Sequence, residues 1–342
     1  MEHGLTYPYN LVSVHYICLS QFNYFDLQTI YSDAQPQANL DSALINIYKR
    51  VGQILSQYTS GEIPRACKFI AVSPSELWEE ILSLTEPQNW SDNAVYEVTT
   101  IFSSSMNDIR LQIFYKNVLL PRVRGDIIKN RRLHFALCQS LKESLSKTRD
   151  FNMGILFPLC KSGTCSVHEA VIIGGIIQEV SMPCTHSSAA LLNLVRMDYC
   201  GATSYFIKLF LDKNDALHCF AFDALLKHFL SFMEKETTMP VIWHQSLLSF
   251  VQRYKYELQR KDKDNIEQLM QNQKHYLVTP EIERELKSSH NCGESEDDVC
   301  QRRTTIWLIG PPARPNPIQS TIPPIASGQA GLGLLPSHAM WA

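Results

Sequence analysis

The residues best equipped for chemistry lie near the middle of the chain. Cys160-x4-Cys165-x2-His168, followed by Cys184 and His186, offers the sulfur and nitrogen donors that zinc prefers. Structural zinc needs four such ligands, usually as close pairs on a turn, and this spacing is looser. Buried thiols and a surface histidine are the simpler reading. The same residues could pair a cysteine nucleophile with a histidine base, because a helix N-terminus lowers a thiol pKa. Ser162, Thr164 and Ser166 flank Gly163, where turn formation and capping account for them. No GxSxG, GxGxxG or P-loop motif occurs. The chain therefore reads as non-enzymatic, with no catalytic residue, cofactor or metal expected.

Charge offers a second kind of chemistry. Arg122, Arg124, Lys129, Arg131 and Arg132 fall within eleven residues and are opposed only by Asp126. They cannot all share one face of a helix, yet four of them cover a broad arc. A solvated charged face would explain them; phosphate contact with RNA is the functional reading. A second group, Arg253, Lys255, Arg260, Lys261 and Lys263, is diluted by Glu257, Asp262 and Asp264 and reads as an ordinary charged surface. Trp243-His244 could stack on a base, but Trp243 lies on an apolar stripe that marks it as core.

The elements that hold these residues are helical by period. Phe222, Leu225, Leu226, Phe229, Leu230 and Met233 recur at +3, +4, +7, +8 and +11. Trp243, Leu247, Phe250, Val251, Tyr254 and Leu258 form a second such stripe, with Pro240 placed just inside its start. Ser187–Tyr199 and Ala202–Lys213 are apolar around most of their circumference, with Gly201 as a left-handed stop between them. Earlier, Leu44, Tyr48, Val51, Leu55 and Tyr58 predict a helix stopped near Gly61. Ser73-Pro74-Ser75-Glu76 and Ser166-Val167-His168-Glu169 read as capping boxes. Ser91 and Asn107 can cap further helices. Leu133, Leu137, Leu141 and Leu145 predict one long helix from Pro121 to about Ser146. Phe151, Ile155, Leu156 and Leu159 predict a short one broken at Ser162-Gly163. Gly174 and Gly175 lie inside a helix, where they weaken it but allow a close helix approach. Asn214 and Asp215 belong to a polar corner, with Asp215 as a cap. The last two helices centre on Ile266–Met270 and on Thr279-Pro280-Glu281. The pattern is all-α: about a dozen helices, most simply stacked antiparallel pairs in a HEAT- or TPR-like solenoid without strict repeats.

Bulk properties fit that fold. The chain has 342 residues, is 45% hydrophobic and 19% charged, and carries a formal net charge of −3. No global basic field exists, so a nucleic-acid site must be local. Ten cysteines without a signal-like start read as reduced thiols. Leu11–Leu19 is apolar, but no Lys or Arg precedes it, and no run of eighteen apolar residues occurs. Residues 1–39 are aromatic-rich and irregular. Residues 300–342 are rich in Pro and Gly and are expected to stay disordered.

Several long runs resemble the bystin family. They include SGEIPRACKFI, TEPQNW, FYKNVLLPRVRGDI, GILFPLCKSGTCSVHEAVIIGGII, PCTHSSAALL, SYFIKLFLDKNDAL, DALLKHFL, PVIWHQSLLSFVQRYK and LVTPEIERELKS. They follow the family's order from about Leu40 to Val299, which marks 40–299 as a family-like helical domain between two unrelated ends. The resemblance implies a helical-repeat, non-enzymatic factor of ribosome biogenesis. Such a factor binds the 40S precursor in the nucleolus and nucleus, assists rRNA processing and head maturation, and leaves in the cytoplasm. Its implied partners are small-subunit pre-rRNA, snoRNA-containing pre-ribosomal particles, ribosomal proteins of the head and other assembly factors, and no membrane. The alternative is a cytoplasmic protein–protein adaptor of the cell-adhesion kind also associated with the family. The family's charged N-terminal arm, with its basic localisation signals, has no counterpart in residues 1–38.

Overall fold

In a computed structural model of the chain, residues 42–72, 77–213, 217 and 219–289 are described. Among them every regular element is a helix, as the periodicity predicts. The chain divides between Leu159 and Cys160 into two compact units. The proposed box at Ser73–Glu76, the cap at Asp215 and both terminal segments lie outside the described residues.

The first unit begins with α1 (Ser42–Ser56), whose inner face is Tyr48, Val51, Gly52 and Leu55. It is followed by α2 (Arg65–Val72) and α3 (Trp78–Leu84). A Cβ on Gly52 would stand 2.4 Å from the Thr85 carbonyl oxygen, so glycine sets how closely α1 meets the end of α3. Trp90 seals the junction, its Nε1 donating to the same carbonyl at 2.9 Å. α4 (Asp92–Ser105) starts on Ser91, whose hydroxyl accepts from Ala94 N at 3.1 Å. Its Val95, Val98 and Phe102 are fully buried, Phe102 against the Phe114 ring at 4.8 Å, and the helix packs on α7 (Phe135–Leu145).

Between α4 and α7 runs a continuous rod. α5 (Asp108–Phe114) is capped by Asn107, widens into a π-turn at Tyr115–Leu119, and continues as α6 (Leu120–Asn130). Pro121 has no N–H for the fourth carbonyl back, and its ring crowds that carbonyl; the wider turn relieves both. The pattern repeats where α8 (Thr148–Phe151) passes through a π-turn at Asn152–Leu156 into α9 (Phe157–Lys161), which contains Pro158. Each π-turn ends two residues before its proline. The two π-turns pack together. Gly154 permits it: a Cβ there would meet Tyr115 Cβ at 2.7 Å and the Gln112 carbonyl at 2.8 Å.

The long helix expected from Pro121 to Ser146 is two helices. Arg131 takes a left-handed conformation, φ 56°, and ends α6; His134 then caps α7, its Nδ1 accepting from Ala136 N at 3.2 Å. Asp126 pins the break, accepting from Asn130 Nδ2 and from His134 N, each at 2.6 Å.

In the second unit α10 (Val167–Glu179) opens on the capping box read from the sequence. Ser166 Oγ accepts from Glu169 N at 3.2 Å, and Glu169 accepts from Ser166 N at 2.8 Å. Then follow α11 (Cys184–Leu194), α12 (Gly201–Asp212), α13 (Cys219–Leu230), α14 (Val241–Tyr254), α15 (Arg260–Asn272) and α16 (Val278–Ser288). Their packing alternates. α12 touches α10 and α14, and α14 touches α16; α13 touches α11 and α15. Gly174 serves the approach of α10 to α12, where a Cβ would press on Leu209 and Tyr205, while Gly175 faces open space. Trp243 is fully buried, with Phe229 and Phe232 rings at 6.0 and 5.5 Å, as its stripe required.

Two expectations are corrected here. Gly201 is the first residue of α12, not a left-handed stop; α11 has already ended at Leu194. Its neighbour Cys200 is the cap, with Sγ accepting from Thr203 N at 3.4 Å. Pro240 precedes α14 as its cap residue rather than lying inside it. Among the described residues no helix is long and apolar enough to cross a membrane.

Candidate nucleic-acid interface

The central thiols are placed first by burial. Cys160 is 3% exposed, and desolvation pushes its thiol well above the ordinary range. Cys200 Sγ lies 3.6 Å from the Cys160 carbonyl, and Cys165 Sγ lies 3.6 Å from the Ser166 carbonyl. A polar cleft of about 580 Å³ lies beside them, lined among others by Lys161, Asn193, Arg196 and Asp198. Among the described residues no three His, Cys, Asp or Glu side chains stand as a metal-binding group. Cys160 is packed inside the second unit, Cys200 caps α12, and Cys165 is half-buried.

The cations of the first basic run are separated by the structure. Arg122 turns toward the body of the first unit. Its Nη1 donates to the Gln88 carbonyl at 2.7 Å; its Nη2 donates to the Trp90 carbonyl at 2.9 Å and to Asp92 Oδ1 at 2.8 Å. It ties α6 to the start of α4 and forms one wall of a cleft of about 540 Å³ lined by Trp78, Leu82, Phe114 and Pro121. Arg124 is half-buried. Lys129, Arg131 and Arg132 are exposed and share the turn that links α6 to α7. Three of the five residues thus lie together, exposed, where α6 ends and the turn to α7 begins.

Two neighbours at that corner escaped the sequence reading. Ile128 is 63% exposed and Phe135 is 74% exposed. Neither lies on the Leu133, Leu137, Leu141 and Leu145 stripe that marks the expected long helix, so that stripe says nothing of them. Ile128 falls on the outer side of α6, and Phe135 opens α7 just after the exposed cations. The acid of the run, Asp126, is engaged within the turn by its two short hydrogen bonds.

The second basic group is largely used internally. Arg253 Nη1 donates to the Leu211 carbonyl at 2.8 Å, at the C-terminus of α12. Lys255 pairs with Glu285 at 2.7 Å. Lys263 is buried, and its amine, 3.4 Å from the Ser289 carbonyl, has its pKa lowered by desolvation. Arg260 and Lys261 are exposed.

Fold and corner together define an all-α protein that concentrates positive charge at one turn of a weakly acidic chain. Comparison with known proteins agrees with the runs noted in the sequence: the chain belongs to the Bystin family, which it matches over residues 22–296. It is 55% identical over 267 residues to Bystin of Arabidopsis thaliana, covering 78% of this chain and 60% of that protein. It is 44% identical over 266 residues to Bystin of Homo sapiens, covering 77% and 60%. Bystin of Drosophila melanogaster is 41% identical over 275 residues, covering 80% and 62%. The chain thus spans about three fifths of the length of the curated relatives it matches.

Proposed function

We propose that the chain is a non-catalytic factor of ribosome biogenesis that binds the 40S precursor and assists rRNA processing and head maturation. Membership of the Bystin family carries this reading, and the exposed cations of the α6–α7 turn support it. The proposed partners are small-subunit pre-rRNA, snoRNA-containing pre-ribosomal particles, head ribosomal proteins and other assembly factors. The proposed location is the nucleolus and nucleus, with passage to the cytoplasm. The two rows of helices in the second unit support a solenoid of stacked helix pairs. Such a scaffold acts by steric and electrostatic means: it holds an RNA conformation and blocks premature contacts, without bond making.

Lys129, Arg131 and Arg132, with Arg124 at their edge, are the proposed phosphate contacts. Arg122 contributes by holding α6 against α4. The test is binding of the full chain to rRNA fragments of the small-subunit head across a salt titration. Four phosphate contacts give a log–log slope of about −2.8 to −3.6, from roughly 0.7–0.9 per contact. Alanine at Lys129, Arg131 and Arg132 should flatten that slope by about 2–3. Weak binding that ignores both salt and these substitutions would overturn the RNA-contact reading.

A further inference from the structure

We infer that the α6–α7 turn takes an unpaired ribonucleotide, its base stacked on Phe135 and its flanking phosphates held by Lys129 and Arg132. This rests on the reading of the turn as an RNA contact and specifies which form of RNA it takes. Phe135 opens α7 and is 74% exposed, although the residues that follow it, Ala136 and Leu137, are core. A lone exposed ring is common; what marks this one is its place on the turn that also carries exposed Lys129 and Arg132. The backbone that carries the ring is held in place. His134 caps the helix directly before it, and Asp126 clamps both sides of the break. Among residues 128–135 the exposed charged side chains are Lys129, Arg131 and Arg132, while the Asp126 carboxylate is half-buried in the clamp. Ile128, 63% exposed, adds a second apolar surface at the corner.

Charge complementarity selects the occupant. Exposed cations lie on the N-terminal side of the ring, among them Lys129, a residue type that protein interfaces deplete although they favour arginine. Nucleic acid presents the converse pattern, flat bases along a row of phosphates. A paired base inside an A-form duplex cannot offer its face to a protruding ring, but a looped or single-stranded base can.

The test uses the full chain and two probes, a short single-stranded RNA and a fully paired RNA hairpin. The single strand carries one fluorescent purine analogue whose emission is quenched by stacking. Phe135→Leu is expected to weaken the single strand about fivefold or more and to abolish the quench, with hairpin binding unchanged. Phe135→Tyr should keep both affinity and quench. Lys129→Ala/Arg132→Ala should weaken both probes. If Phe135→Leu changes neither single-strand affinity nor quench while the double substitution weakens both probes, stacking is wrong and the phosphate-contact reading stands. If the unaltered chain binds neither probe, both readings fail. If Phe135→Leu instead abolishes binding to ribonuclease-stripped 40S precursor proteins, the ring is a protein anchor and the inference is overturned.

Discussion

Gln273 is 1% exposed and holds together a loop that has no regular structure of its own. Its Nε2 donates to the carbonyls of Lys235 and Thr237 at 2.9 and 3.2 Å, and its Oε1 accepts from Met239 N at 2.9 Å. Gln273→Leu fills the same space and strands three backbone groups, so it should cost about 2–4 kcal/mol. A urea melt should show the midpoint falling with helix content retained. His228 and His244 act on stability through pH. Burial lowers both to about 4, with the charge of His275 adding to the effect at His244 and a hydrogen bond to the Val195 carbonyl partly opposing it at His228. In the unfolded chain each titrates near 6.5. Between these values the unfolded state binds protons that the folded state refuses. The stability of the neutral rings is therefore complete above about pH 6.5 and is lost as pH falls toward 4, by at most about 3 kcal/mol per ring. Urea midpoints between pH 6.5 and 5 should fall, and the fall should shrink in His228→Phe/His244→Phe. An unchanged slope would assign the pH effect to other groups.

The elements of the first unit depend on how two prolines are accommodated inside helices. Each sits just beyond a π-turn, and the two turns meet across Gly154. Gly154→Ala would drive a methyl into the Gln112 carbonyl and Tyr115 Cβ, neither of them a flexible side-chain end. It should destabilise by about 1–3 kcal/mol, whereas Gly175→Ala, in open space within α10, should stabilise by up to about 1 kcal/mol. Denaturation of the two variants side by side separates the effect of packing from that of propensity. The same elements show what a sequence can and cannot convey. Ser91, Asn107 and Ser166 were readable as caps because their side chains accept from a backbone N–H three residues on. Cys200 and His134 cap just as effectively but belong to types rarely counted as caps. Pro121 reads as a helix start because a regular α-helix cannot hold it inside, and only the π-turn makes it an interior residue. The break at Arg131 carries neither Gly nor Pro, and the leucine series begins only at Leu133, inside the turn, so it gives no sign of the break. Asp126 accepts from His134 N across the break, over a separation that periodicity does not report. The basic residues were therefore legible as a cluster, while the corner that exposes three of them with Phe135 was not.

At the scale of the whole molecule, the formal net charge of −3 sets a test that the local surface alone cannot. A weakly acidic chain gains nothing from long-range attraction to RNA, so affinity must come from contacts within about a Debye length, roughly 8–10 Å at moderate salt. Two groups of exposed cations serve for comparison: Lys129, Arg131 and Arg132 at the α6–α7 turn, and Arg260 and Lys261 at the start of α15. Removing the first set makes the chain more negative by three charges, and removing the second by two. If bulk charge governed binding, both sets of alanines would weaken RNA by similar factors. If the turn is the contact, only the first should weaken binding, by about tenfold or more at moderate salt, with a flatter salt dependence. The second should leave the slope as it was. Arg122→Ala supplies the third arm. It breaks the ties to Gln88, Trp90 and Asp92 and should lower the melting temperature, separating loss of the bracing from loss of a phosphate contact. Equal effects of the first two sets on RNA affinity would move the interface away from the turn, because only a local contact can tell one exposed cation from another.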